Sequence, residues 1–125
     1  MLSDDPGQPT AVVAPRRTAA VVFAVLLVTH LAALYWPRVD VQGPVTWSDK
    51  VVHVLLFLAP TVAGLLAGVR PAHVVGFLAL HAPVSELVQH YLLPHRSGDP
   101  WDAVADLAGV VLGVTSVVVG RTLRR

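Results

Sequence analysis

Long apolar runs alternate with short polar clusters along this chain, and the runs share one length. Thr18–Trp36 contains no formal charge, Val51–Val69 none apart from a proton on His53, and Ala72–Leu92 only Glu86. Trp101–Gly120 carries Asp102 and Asp106 near its start and then fourteen uncharged residues. Each run is about 19–21 residues, roughly 28–32 Å as helix, which suffices to cross a hydrocarbon core of about 30 Å. A single segment of that length in lipid must satisfy its own backbone, so the pattern predicts four transmembrane helices at about 18–36, 51–69, 72–92 and 101–120. The intervening stretches, Pro37–Lys50, Arg70-Pro71 and Leu93–Pro100, are short enough to turn each helix back beside the last. The fold class read from the pattern is therefore all-α: a four-helix, up-down-up-down transmembrane bundle.

The flanks differ from the runs. Residues 1–17 are polar, broken by Pro6, Pro9 and Pro15 and closed by Arg16-Arg17, and read as a disordered tail. Residues 121–125 read as a basic C-terminal tail. The first apolar run exceeds a signal-peptide core of about 7–15 residues and lacks a clear small-x-small site after it, so it reads as a retained helix. Of nine Lys and Arg residues, Arg16, Arg17, Arg70, Arg121, Arg124 and Arg125 fall on one side, and Arg38, Lys50 and Arg96 on the other. That asymmetry predicts both termini in the cytoplasm. Trp36, Trp47, Trp101, Tyr35 and Tyr91 all fall at the opposite, outer interface, where amphipathic rings anchor a helix.

Composition agrees with this placement. Hydrophobic residues make up 54% of the 125-residue chain and charged ones 14%, against about 25% in soluble domains. The net charge of +1 offers no basic face for nucleic acid, and the absence of cysteine excludes disulfide and thiolate chemistry. The expected partner is the lipid bilayer of a plasma membrane. No cofactor is named by composition.

The charged residues within the apolar runs gather at the outer helix ends. Asp49, Lys50 and His53 open the second helix; Glu86, Gln89 and His90 close the third; Arg96, Asp99, Asp102 and Asp106 lie in the turn and fourth helix. His53, Glu86 and Asp106 fall at similar depths, roughly 4–9 Å inside the apolar boundary. Asp49/His53, Glu86/His90 and Asp102/Asp106 are each spaced i,i+4, so each pair shares a helix face. Asp102, Asp106, Gly109 and Gly113 form one stripe whose lower half is Gly-x-x-x-Gly, and Gly64 and Gly68 repeat the device. Both motifs read as contacts within the bundle rather than between copies. Four carboxylates (Asp49, Glu86, Asp102, Asp106) against Lys50 and Arg96 leave a net −2, which calls for a proton, a metal ion or a cationic partner.

Plainer roles apply elsewhere. Asp99 reads as an ordinary juxtamembrane charge, His30 and His81 as buried, hydrogen-bonded neutral residues, and Pro60 and Pro83 as helix kinks. Folding glue is the competing account of the whole polar cluster.

The motifs Asp49-Lys50-x-x-His53, Glu86-x-x-Gln89, Arg96 and Asp102-x-x-x-Asp106-x-x-Gly109-x-x-x-Gly113 together resemble the VanZ-like family of bacterial membrane proteins. The resemblance covers about residues 47–113, with the motifs in family order. It departs at Asp106, where the family pattern has Asn. The resemblance implies a cell-envelope role, the family's namesake being linked to teicoplanin resistance. Two functions remain open on these readings. One is a non-enzymatic outer-leaflet pocket for a lipid-linked or anionic envelope component, with Lys50 and Arg96 engaging the anion and His53, Glu86, Gln89 and Asp102 orienting it. The other is a membrane enzyme acting on lipid headgroups, with Asp49, His53, Glu86 and Asp102 holding a divalent metal. A purely structural subunit is a third possibility.

Overall fold

A computed structural model describes residues 13–37 and 46–125, in which the chain forms four helices and no strand. They are α1 (Val13–Tyr35), α2 (Thr46–Leu66), α3 (Pro71–Leu92) and α4 (Pro100–Leu123). All four are long and apolar enough to cross a membrane. At 21 to 24 residues they span roughly 32–36 Å. Residues 1–12 of the expected tail, and 38–45 with Arg38, lie outside the described residues.

The helix ends differ from the hydropathy reading. The first helix begins at Val13 rather than Thr18, inside the stretch assigned to the tail. Pro15 falls in its first turn, where the missing N–H has no intrahelical acceptor to lose. The second begins at Thr46 rather than Val51, and its polar first turn includes Asp49, which suits the positive end of a helix dipole. The fourth runs to Leu123, so only Arg124 and Arg125 remain of the expected basic tail. Apolar-run counting stops at the first charge; a helix does not.

Local chemistry fixes the turns. Gly68 takes a left-handed φ of 82° just past α2. Its N–H donates to Leu65 O and that of Val69 to Gly64 O, the paired bonds of a Schellman stop. Gly68 thus ends a helix, whereas the sequence reading made it part of a packing face; a Cβ there would meet nothing within 4 Å. Pro71 occupies the first turn of α3. Asp99 caps α4, its Oδ1 accepting the Trp101 N–H at 2.9 Å, with Pro100 next in the first turn.

Partner residues give the relative directions. His53 faces Asp106, Gly113 faces Thr61, and Arg121 donates to Leu65 O, so α2 and α4 run the same way. His30 meets His81 and Gln89 meets Leu34 O, so α1 and α3 do likewise. Phe23 lies by Gly64 while His30 lies by Leu56, which sets α1 antiparallel to α2. The closest packing is between α2 and α4. A Cβ at Gly109 would strike the Val54 carbonyl oxygen and approach Phe57 Cβ to 3.0 Å; one at Gly113 would come within 2.8 Å of Thr61. The Gly109/Gly113 stripe therefore allows the two backbones to touch. Phe57, Leu78, Ala82 and Val110 form the buried apolar middle, while Val21, Val25, Leu80, Val111 and many like them face outward. Trp36, Trp47, Tyr91 and Trp101 are all exposed and, given these directions, gather at one end.

Candidate functional site

That aromatic end carries the ionisable cluster. His53 from α2, Glu86 from α3 and Asp106 from α4 are buried together, although any one of them alone would be costly in an apolar bundle. His53 is central. Its Nδ1 lies 2.8 Å from Asp106 Oδ1 and 4.0 Å from Glu86 Oε1. Its Nε2 lies 3.7 Å from Asp102 Oδ2 and 4.0 Å from Asp49 Oδ1. The His53–Asp106 contact needs one proton between nitrogen and oxygen, since two lone pairs at that distance would repel.

Lys50 sits at the mouth of the cluster among three carboxylates. Its ammonium donates to Asp99 Oδ2 at 2.7 Å and to Asp102 Oδ1, and stands 3.9 Å from Asp49. The Lys50 hydrogen bond, reinforced by the Trp101 amide, holds the Asp99 carboxyl below the usual carboxylate range. Asp99 is thus more than a juxtamembrane charge. It caps α4, pairs with Lys50, and its backbone N–H donates to Glu86 Oε2 at 2.9 Å. Gly98 permits that approach, because a Cβ there would sit 2.5 Å from the Glu86 carbonyl oxygen.

Two atoms remain unmatched. Glu86 Oε1 and Asp106 Oδ2 are buried and accept no hydrogen bond among the described residues. Buried polar atoms are rarely left so, and two in one cluster mark a place where something else belongs. Glu86 borders a cleft of about 450 Å³ between α3 and α4, lined otherwise by Pro83, Leu87, His90, Tyr91, Pro100 and their neighbours. His90, expected on the Glu86 face, is exposed and packs its ring edge-on to Tyr91.

The two remaining residues of the expected site are placed elsewhere. Arg96 donates to the carbonyls of Leu34 at 2.7 Å, Trp36 at 3.1 Å and Ala33 at 3.3 Å. Gln89 donates to the same Leu34 carbonyl at 2.9 Å. Both satisfy the C-terminal carbonyls of α1, where a cation also complements the helix dipole. Asp49, Lys50, His53, Glu86, Asp102 and Asp106 are brought together; Gln89 joins α1 to α3, and Arg96 joins α1 to the turn after α3.

A second polar network lies deeper, and its connections are not visible in the motifs. Tyr35 OH is 2.6 Å from His81 Nε2, His81 Nδ1 is 3.0 Å from His30 Nε2, and His30 Nδ1 is 2.8 Å from Leu56 O. A carbonyl only accepts, so His30 Nδ1 donates, and with neutral rings every later role follows: His81 donates to His30, and Tyr35 donates to His81. Pro60 explains the terminus. The residue four after Leu56 has no N–H, so the Leu56 carbonyl is released from the helix ladder and His30 supplies the missing donor. The signal was present in the sequence as Leu56-x-x-x-Pro60 with a histidine on a neighbouring helix.

No family model matches the chain, and neither does any curated protein or solved structure.

Proposed function

We propose that this chain is a VanZ-like, multi-pass protein of a bacterial plasma membrane, crossing up-down-up-down with both termini cytoplasmic. Its polar cluster then sits at the outer leaflet and receives the head of a lipid-linked envelope component through the cleft between α3 and α4. One observation carries this reading: Glu86 is a buried carboxylate with an unpartnered oxygen, and it borders a cleft whose other walls are mainly apolar. An amphipathic ligand fits such a place, with its apolar part against Leu87 and Pro83 and its polar head at Glu86. The motif resemblance and the Lys/Arg asymmetry support the envelope setting.

The chemistry expected of Lys50 and Arg96 changes under this proposal. Each already serves internal acceptors, Lys50 on Asp99 and Asp102 and Arg96 on α1 carbonyls. Those bonds occupy the Lys50 ammonium and the Arg96 Nη1, so the head meets the carboxylate and imidazole layer first. Binding is the proposed activity, and a connection to glycopeptide resistance belongs to the same envelope role.

Topology and function are tested in intact cells. A cysteine at Ser97 in this cysteine-free chain is expected to react with an impermeant thiol reagent, and one at Arg125 is not. The reverse labelling would place the cluster in the cytoplasm and end the outer-leaflet reading. Envelope lipid composition and teicoplanin sensitivity should change when the gene is deleted. Wild-type protein should restore both, and Glu86→Gln should restore neither.

A further inference from the structure

We propose that His53, Glu86 and Asp106 form a binding site for one divalent transition-metal ion, of the zinc or manganese class. The donor set comes from three helices: one imidazole nitrogen and one oxygen from each carboxylate, all within 4.8 Å of one another. Metal–ligand distances of about 2.0–2.2 Å place such donors roughly 3–4 Å apart, so small side-chain movements close the shell. A mixed imidazole and carboxylate set suits these metals.

Independent observations point to an ion rather than a mere acidic patch. Glu86 is 6% exposed and Asp106 0%, yet each has one buried oxygen without a hydrogen-bond donor. Those two oxygens are the ones an ion would engage. The other oxygen of each carboxylate is already held, Glu86 Oε2 by the Asp99 amide and Asp106 Oδ1 by His53. The charge points the same way. Lys50 offsets only one charge of Asp99 and Asp102, and Glu86 and Asp106 have no Lys or Arg partner among the described residues, so they are the pair a dication would offset.

A competing donor set, Asp49, His53 and Asp102, is also close enough to hold an ion. The Lys50 ammonium already bonds Asp102 and stands 3.9 Å from Asp49, so a dication there would face a positive charge a few ångströms away. Among the described residues no Lys or Arg forms an ion pair with Glu86 or Asp106 of the inner set. Asp102 and Asp49 serve better as the outer carboxylates toward His53 Nε2. They favour the Nε2–H tautomer and leave Nδ1 with a lone pair for the metal. When the ion binds, the proton on the His53–Asp106 contact leaves to solvent, and His53 Nδ1 turns from Asp106 Oδ1 to the metal.

Three protein ligands leave open coordination positions, and one of the three, Glu86, also borders the cleft between α3 and α4. An ion there would add a positive centre to the pocket and would let it accept a phosphate or carboxylate head. This last step rests on the outer-leaflet pocket proposed above; metal binding itself does not.

The test uses the full, tag-free chain in detergent, dialysed against zinc or manganese and assayed for bound metal. About one equivalent is expected in the wild type. Glu86→Gln and Asp106→Asn should each weaken affinity at least tenfold while eluting as the same monodisperse species. Asp49→Asn should weaken it less than either, because Asp49 stands 4.0 Å from His53 Nε2 and supplies no ligand atom. Cobalt added to the wild-type protein should give a ligand-field absorption band, a readout that needs no variant to fold. Absence of stoichiometric metal and of the cobalt band overturns the site. Loss of binding in Asp49→Asn with retention in Glu86→Gln overturns this donor set in favour of the outer one. The two proposals fail separately. If Glu86→Gln abolishes the cellular phenotype but no metal binds, the metal assignment falls and the pocket stands. If metal binds but Glu86→Gln cells keep wild-type envelope lipids and teicoplanin sensitivity, the pocket falls and the metal site stands.

Discussion

The two buried polar networks invite comparison because they are built from similar groups and finished differently. The deep one, Tyr35–His81–His30–Leu56 O, matches each donor to an acceptor and ends on a carbonyl that Pro60 set free. The outer one, around His53, leaves Glu86 Oε1 and Asp106 Oδ2 unmatched, and Glu86 borders a cleft. Where water is scarce, a completed network lowers the free energy of the fold, and an incomplete one raises it until a ligand completes it. The first network therefore reads as structure and the second as a site.

Breaking the completed network should have the largest effect on stability. His30→Leu leaves the Leu56 carbonyl and His81 Nδ1 without their partner, at a cost of about 3 kcal/mol in reversible unfolding in detergent. Bound metal in the folded fraction should be unchanged. Gly109→Ala comes next, because the added methyl meets the Val54 carbonyl rather than a flexible side chain. Overpacking of that kind costs about 1–3 kcal/mol, and it should also weaken metal binding by spreading α2 from α4. Tyr35→Phe removes only the end donor of the deep chain and should cost about 0.5–1 kcal/mol in the same unfolding assay.

The sequence carried the helices well and their ends poorly. Uncharged runs mark what lipid tolerates, but α2 begins with Thr46-Trp47-Ser48-Asp49, residues that favour a first turn and depress a hydropathy count. The layer of His53, Glu86 and Asp106 was legible because depth follows from residue counting along straight helices. What Lys50 and Arg96 bind was not legible. A cation near a carboxylate-rich layer looks available to a ligand until the partners of its donors are known, and those partners come from distant segments. Asp99 was underread for a related reason. Asp followed by Pro at the start of an apolar run is a capping signature, and its position beyond the run made it look like loop. Gly64 and Gly68 show the limit of spacing alone: four apart, one packs against Phe23 and Val74 while the other ends the helix.

The smallest expected stability effect is the most informative. Glu86→Gln keeps the shape of the side chain and an oxygen to accept the Asp99 N–H, and removes a charge that nothing in the metal-free protein fully matches. The unfolding free energy of this variant, measured against wild type in chelator-treated detergent, tests whether the outer cluster exists for a ligand or for the fold. A difference within about 0.5 kcal/mol, or a gain in stability, is the result expected of a binding site. A loss of about 2 kcal/mol or more would show that Glu86 is part of a completed structural network, and would contradict the account.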